Sequence, residues 1–272
     1  MPSAIVNEYF RTKKLPQIWC PGCGHGIITR AITVALDKSN LNRDKICIVS
    51  GIGCSSRATG YLDFDTLHTT HGRAIAFATG IKLAKPELTV IVITGDGDCT
   101  AIGGNHLIHA CRRNIDITAI VFNNNIYGMT GGQYSPTTPK YDKGTTAPYG
   151  NIDKSFDIPG LAAAAGATYV ARATAYHANL LISLIQKGIN NKGFSLIEAI
   201  SDCPTYYGRK NKKGDAVDML EWQKKYAINV TAASKMPPES LKGKFIIGEF
   251  KNTTEPEYTD EYQKIIDNIG KE

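Results

Sequence analysis

Apolar residues fall into runs of two lengths, separated by glycine-rich or polar turns. Residues 88–94 and 115–122 are short, continuous and rich in β-branched side chains, which predicts two strands buried on both faces. A helix over about residues 102–113 joins them into one βαβ unit. Upstream, the pattern predicts a helix over 27–36, a short strand over 46–50 and a small-residue helix over 74–85. Downstream it predicts helices at 161–165 and 177–189, and strands at 169–171 and 195–199. Residues 128–159 read as a long loop, and loops of that length in compact domains usually carry function. Residues 205–240 are rich in charge and turn formers, and 258–269 form an amphipathic stretch. Alternating β and α elements imply an α/β fold with a doubly wound, mostly parallel sheet. The expected organisation is a single domain over 1–272, with an N-terminal arm (1–19) and a C-terminal extension (about 212–272).

The chain has 272 residues, 42% hydrophobic and 21% charged, as expected of a globular protein. No apolar run approaches the roughly 18 residues of a membrane span, and residues 1–14 lack the apolar core of a leader. A cytoplasmic protein with no membrane partner is expected. The net charge of +6 is mild. Its densest cluster is Arg209, Lys210, Lys212 and Lys213, which suits a solvated loop, an acidic protein partner or a polyanionic substrate. No basic stripe interleaved with aromatics is present, so nucleic-acid binding is not expected.

Chemistry enters with Gly95-Asp96-Gly97 at the end of one predicted strand and Asn124 at the end of the next. The βαβ geometry puts a carboxylate and an amide at the C-terminal ends of two parallel strands, where open sheets bind ligands. Such an oxygen pair suits Mg²⁺, which takes its remaining ligands from water and a phosphorylated partner. The turn Gly51-Ile52-Gly53-Cys54 follows another strand and faces the same edge. A dinucleotide fold competes, because Asp116 lies about 20 residues on. Against it, Thr100 replaces the third glycine, and Asp96 with Asp98 would repel a pyrophosphate unless a cation intervened.

Seven cysteines without a leader argue against a disulfide framework. Cys47 and Cys111 lie on apolar elements and are expected in the core, and Cys99 is expected to be structural. Cys20-x-x-Cys23, Cys54 on its glycine turn and Cys203 before Pro204 form a loop-borne quartet suited to zinc or a [4Fe–4S] cluster, and spacing leaves both open. His106 and His109, i and i+3 on one predicted helix, are read as a satisfied core or helix-surface pair. His71, Gly72 and Arg73 precede a helix and suit an anion. No hydrolase motif is present.

The glycine–aspartate–glycine turn, 26 intervening residues and Asn124 resemble the signature of the thiamine-diphosphate fold. Cys-Pro-Gly-Cys-Gly-His (20–25), Gly-Ile-Gly-Cys-Ser-Ser-Arg (51–57), His-Thr-Thr-His-Gly-Arg-Ala (68–74), the 127–136 segment and Cys203 to Asn211 resemble the β subunit of 2-oxoacid:ferredoxin oxidoreductases, over about residues 15–211. The resemblance implies a pyrophosphate-type thiamine-diphosphate domain. It implies Cys20, Cys23, Cys54 and Cys203 as [4Fe–4S] ligands, and Asp96, Asn124 and the Ile126 carbonyl as Mg²⁺ ligands. Gly97, Asp98, Gly128 and Met129 match diphosphate-side contacts. Ile52, Gly53, Cys54 and Ser55, with His71, Gly72 and Arg73, match further cofactor contacts. The implied reaction is oxidative decarboxylation of a 2-oxoacid, with acyl transfer to CoA and electrons leaving singly to ferredoxin. A partner α subunit would supply the pyrimidine side and its Glu. A non-redox thiamine-dependent lyase half and a non-catalytic nucleotide-binding module remain as alternatives. Gly131 stands where some relatives carry a substrate-facing Lys, which makes Arg57 the candidate contact for the substrate carboxylate. The wording of 51–74 and 203–211 is most like the 2-oxoglutarate branch, with pyruvate and branched-chain 2-oxoacids left open.

Overall fold

The computed structural model describes residues 4–269, so the first three residues of the expected arm and the last three of the tail lie outside the described residues. In chain order the strands are β1 (Ile46–Ser50), β2 (Asp65–His68), β3 (Thr89–Gly95), β4 (Thr118–Asn123), β5 (Ile126–Tyr127), β6 (Gln133–Tyr134), β7 (Tyr169–Thr174), β8 (Ser195–Ile200), β9 (Ala227–Asn229) and β10 (Phe245–Asn252). The helices are α1 (Ala4–Tyr9), α2 (His25–Lys38), α3 (Ala58–Tyr61), α4 (Ala74–Ala84), α5 (Gly104–Arg113), α6 (Ile158–Ala164), α7 (Ala178–Asn190), α8 (Ala216–Tyr226), α9 (Val230–Ala233) and α10 (Tyr258–Ile269).

Eight strands form one sheet in the order β2-β1-β3-β4-β8-β7-β10-β9. The first six are mutually parallel; β10 runs antiparallel to β7, and β9 is parallel to β10. Helices α2 and α7 cover one face, where Ile28, Ile32, Leu181 and Ile185 meet Ile48, Ile91, Ile120 and Ile197. Helices α4, α5 and α6 cover the other, around Val90, Val92, Val121 and Leu196. Central strands with both faces covered must be apolar throughout, and every residue of β4 is buried. The mostly parallel doubly wound sheet read from the sequence is the sheet observed.

From β1 the chain runs outward to β2, then returns to β3 on the other side of β1. The strand order therefore reverses between β1 and β3, and the loops leaving those two strands flank a crevice.

Local differences have local causes. Between β3 and α5 the chain makes a π-helical turn (Asp98–Ile102), so α5 begins at Gly104. It ends at Asn114, which adopts the left-handed conformation (φ 47°) that Asn tolerates. Strand β2 is polar and largely exposed at the sheet edge, so it carries no strand period. The 205–240 segment holds α8, whose start is set by a capping box between Asp215 and Asp218. The tail contributes β10 as well as the anticipated amphipathic helix α10.

Asp116 lies before β4, at the opposite end of that strand from the crevice. It accepts from buried Lys82 at 2.6 Å. That removes it from any ligand at the crevice and, with it, the dinucleotide reading.

Candidate active site

Four loops meet at the C-terminal edge of the sheet and enclose a cleft of about 210 Å³. The β1 loop contributes Ile52, Gly53, Cys54 and Ser55, and the β3 loop Asp96, Gly97 and Asp98. The β4 loop contributes Asn124, Ile126, Gly128 and Met129, and His71 comes from the loop after β2.

Asp96 is buried at the end of β3. Its Oδ2 accepts hydroxyl hydrogen bonds from Ser135 and Thr137, both at 2.5 Å. One carboxyl oxygen is thereby saturated, which leaves Oδ1 for a metal. Burial pushes this carboxyl up to about 6, against the hydroxyl and backbone bonds that favour its charged form. Asn124 is also buried, and its Oδ1 accepts from the Ile126 N–H at 3.3 Å. The Asp96 carboxylate, the Asn124 amide and the Ile126 carbonyl are hard oxygen donors around one space, a donor set that fits Mg²⁺ with a phosphorylated partner.

Asp98 lines the cleft and also ties its loops together. Its Oδ1 lies 2.5 Å from His71 Nδ1 and accepts from the Gly72 N–H at 2.7 Å, and Oδ2 accepts from Thr94 at 2.7 Å. These bonds knot the loops after β2 and β3. Gly72 (φ 69°) serves the same knot, since a Cβ there would strike Ile102. Arg73 donates to the Ile102 carbonyl at 2.9 Å and does not line the cleft. Arg57 is exposed and lines a neighbouring hollow with Arg11 and His68, outside the cleft.

Gly97 sits beneath the ring of Tyr127, whose hydroxyl donates to the Gly97 carbonyl at 3.2 Å. A Cβ on Gly97 would fall inside that ring. Gly97→Ala is therefore expected to expel Tyr127 from the cleft wall and cost about 1–3 kcal/mol. The Tyr127→Ala background should remove most of that penalty in thermal denaturation, because the overlap partner is gone.

Cys54 lines the cleft, and Cys20, Cys23 and Cys203 lie close enough to it and to one another to interact electrostatically. A Cβ on Gly128 would lie 3.3 Å from Cys54 Sγ and 3.9 Å from Cys203 Sγ, so only glycine leaves that space open. Burial pushes the Cys23 thiol up to about 12 and Cys54 to about 11, and raises Cys203; mutual repulsion among the quartet adds to each. Opposing this, backbone N–H groups of His25, Met129 and Tyr206 with Tyr207 donate to the sulfurs of Cys23, Cys54 and Cys203 respectively. Thiols ringing a glycine-cleared space, with N–H donors already aimed at sulfur, fit an iron–sulfur cluster. Among the described residues, no three His, Cys, Asp or Glu side chains group as ligands of one metal ion. Cys99 and Cys111 are buried in the core and Cys47 is half-buried in β1, away from the quartet. His106 is half-buried and His109 exposed on α5, outside the cleft.

Three residues around the cleft escaped the sequence reading: His25, Ser135 and Thr137. His25 directly follows the Cys20–Cys23 motif, starts α2 and is buried, with Nδ1 2.8 Å from Ser201 Oγ. Burial depresses it to about 3, so it stays neutral at working pH. Ser135 and Thr137 lie in the long loop and become functional only when it folds back over β3. Trp19 stacks edge-on against His25 and donates to the Cys54 carbonyl at 2.7 Å, binding the arm to the β1 loop.

Comparison with known proteins follows this geometry. Residues 51–199 match the family described as thiamine pyrophosphate enzyme, C-terminal TPP binding domain. A 2-oxoglutarate synthase subunit KorB from Methanocaldococcus jannaschii is 53% identical over 97% of this chain and 98% of its own. A 2-oxoglutarate oxidoreductase subunit KorB from Mycobacterium tuberculosis is 47% identical over 69% of this chain and 50% of its own. Among solved structures, a 2-oxoglutarate:ferredoxin oxidoreductase from Magnetococcus marinus, with 2-oxoglutarate, coenzyme A and succinyl-CoA bound, superposes with a TM-score of 0.87. It is 33% identical and covers 97% of this chain and 90% of that one.

Proposed function

The chain belongs to the β subunits of 2-oxoacid:ferredoxin oxidoreductases, and from that premise we propose that it forms the diphosphate half of a 2-oxoglutarate-converting active site that a partner α subunit completes. The observation carrying this reading is the junction of two donor sets at one crevice. Oxygen donors Asp96 and Asn124 lie within the cleft, and Cys54 belongs to both the cleft wall and the thiol quartet.

Bound thiamine diphosphate would supply the carbanion chemistry of 2-oxoacid decarboxylation, and a [4Fe–4S] cluster would take the electrons one at a time. This chain's residues bind and orient. Asp96, Asn124 and the Ile126 carbonyl would hold Mg²⁺ against the diphosphate. Gly97, Gly128 and Met129, with residues 52–55 and His71, form the walls. Asp98, with Gly72, fixes two of those walls. Cys20, Cys23, Cys54 and Cys203 would hold the cluster, with their peptide N–H donors stabilising sulfur charge. No carboxylate of this chain has been assigned to the pyrimidine side, which leaves that role to the α subunit. No helix among the described residues is long and apolar enough to cross a membrane.

The test is anaerobic co-purification with the α subunit, followed by iron, sulfide and thiamine diphosphate analysis. About four iron per quartet and one thiamine diphosphate per chain, beyond any clusters on partners, is expected. CoA-dependent turnover should favour 2-oxoglutarate over pyruvate and branched-chain 2-oxoacids. Zinc, or Mg²⁺ alone, would favour a non-redox lyase.

Electron exit is assigned to the Cys20 side. Cys20 is the exposed member of the quartet. Arg209, Pro204 and Asp215 line an adjoining groove with Pro21 and Gly22, and the exposed Lys210 and Lys212 follow Arg209 in sequence. An acidic ferredoxin fits that basic segment. Lys210→Glu with Lys212→Glu should slow ferredoxin reduction at low salt by at least about tenfold. Reduction of an uncharged dye should not change. Equal rates for both acceptors in the variant would place the exit elsewhere.

A further inference from the structure

We propose that Glu198 and Arg172 are positioning residues for the metal side of the cleft, acting through the amide of Asn123. The proposal rests on the reading of Asp96 and Asn124 as metal ligands. Glu198 (β8), Arg172 (β7) and Asn123 (β4) lie on one face of three adjacent strands. Glu198 is only 1% exposed. One of its oxygens pairs with Arg172 Nε, and the other accepts from Asn123 Nδ2 at 2.7 Å. Arg172 continues outward to Asp157 at 2.9 Å and to the Ile246 carbonyl. A continuous polar chain thus runs from the outer strands to the cleft.

Its inner end decides geometry there. A carboxylate only accepts, so Glu198 forces the nitrogen of the Asn123 amide toward itself. The amide oxygen must then face inward. There it accepts from the Asn125 N–H at 3.0 Å and lies 3.0 Å from the Thr137 hydroxyl. Asn125 is in the left-handed conformation (φ 60°), and its N–H bond holds the turn that presents Asn124. Thr137 has a single hydroxyl proton, which goes either to the Asn123 amide oxygen or to Asp96 Oδ2. The amide orientation therefore serves the turn of candidate ligand Asn124 directly. A merely structural ion pair would stabilise the sheet without caring which way that amide points.

Glu198→Gln separates the two roles. The introduced amide has a single acceptor oxygen for two donors, Arg172 Nε and Asn123 Nδ2. If Arg172 takes it, an N–H₂ faces Asn123 and turns that amide over, removing the acceptor from Asn125. In the intact αβ complex, Mg²⁺–thiamine diphosphate affinity should fall about 10–100-fold, the range for losses around metal ligands. Iron content should stay at the wild-type value. Adding Asn123→Asp supplies an acceptor facing both the introduced amide and Asn125, and should restore affinity to within a few-fold. Unchanged affinity in Glu198→Gln, or a loss that the second substitution fails to relieve, overturns the proposal. If Glu198→Gln does not assemble, Asn123→Ala keeps the Glu198–Arg172 pair and should show the same loss; unchanged affinity there overturns it equally. Failure of the wild-type complex to bind thiamine diphosphate would instead sink the reading of the cleft.

Discussion

Asp96→Ala should abolish retention of Mg²⁺–thiamine diphosphate, weakening binding by more than about a hundredfold, since losses one shell further out already reach that size. Asp96 is the one carboxylate among the three proposed metal donors, and its Oδ2 is already occupied by Ser135 and Thr137. No water-filled gap can replace that charge. The ligand-free protein should nevertheless stay folded. Ser135 Oγ lies 3.0 Å from Thr137 Oγ1 and 3.4 Å from Thr138 Oγ1, so the hydroxyls keep partners when the carboxylate leaves. Calorimetric titration of the purified complex reads binding, and a melting curve reads folding. Cofactor held at wild-type stoichiometry would remove Asp96 from the metal site.

The same carboxyl sets a pH dependence. Folding raises it from 3.8 to about 6 through burial, so the fold favours the protonated form. For an acid shifted upward, the relative stability is present at low pH and lost as pH rises from about 4 through 6. That penalty amounts to a few kcal/mol at neutral pH. Metal binding needs the carboxylate and relieves the penalty. Stabilisation by Mg²⁺–thiamine diphosphate should therefore be greater at pH 7 than at pH 5. In Asp96→Ala this pH-dependent component should vanish; its persistence would assign it to another group.

Cys203→Ser is the second large effect. Iron on the quartet should fall from about four atoms toward zero, because an alcohol oxygen is a poor substitute for thiolate at soft iron. Cys203 packs against Ile126, Tyr207 and Met219 and does not itself line the cofactor cleft. Thiamine diphosphate should therefore still bind, and turnover with any electron acceptor should be lost. Cys47→Ser, in β1, is the matched control and should keep its iron. A full four-iron signal in Cys203→Ser would exclude that residue as a ligand.

Much of the fold was legible because its signals are local. The apolar runs of β1, β3, β4 and β8 are bounded by glycine or asparagine turns, and the helices between them carry the helical period. Strand β2 and the paired strands β9 and β10 were not legible. They are short, partly exposed or at the sheet margin, where no alternation is imposed, and α8 was masked by the charge of its surface. Within the site, Asp96, Asn124 and Cys54 could be placed from strand ends alone. Arg57 could not be placed: it follows the same turn as Cys54, but the short helical turn over Ser55–Arg57 carries it toward a different hollow.

By itself, then, the sequence determined the alternating architecture and the oxygen donors at two strand ends, since each depends on spacing along a strand, while the thiol quartet is read only from the loop positions of its cysteines. Only the tertiary structure decided how those groups are held. Ser135 and Thr137 reach Asp96 across about 40 residues of chain. Asp98 ties His71 and Gly72 across two loops, and Glu198 accepts from Asn123 on a neighbouring strand. Hydrogen bonds between residues distant in sequence leave no period or motif behind. They exist only once long-range strand pairing has brought their donors and acceptors within 3 Å.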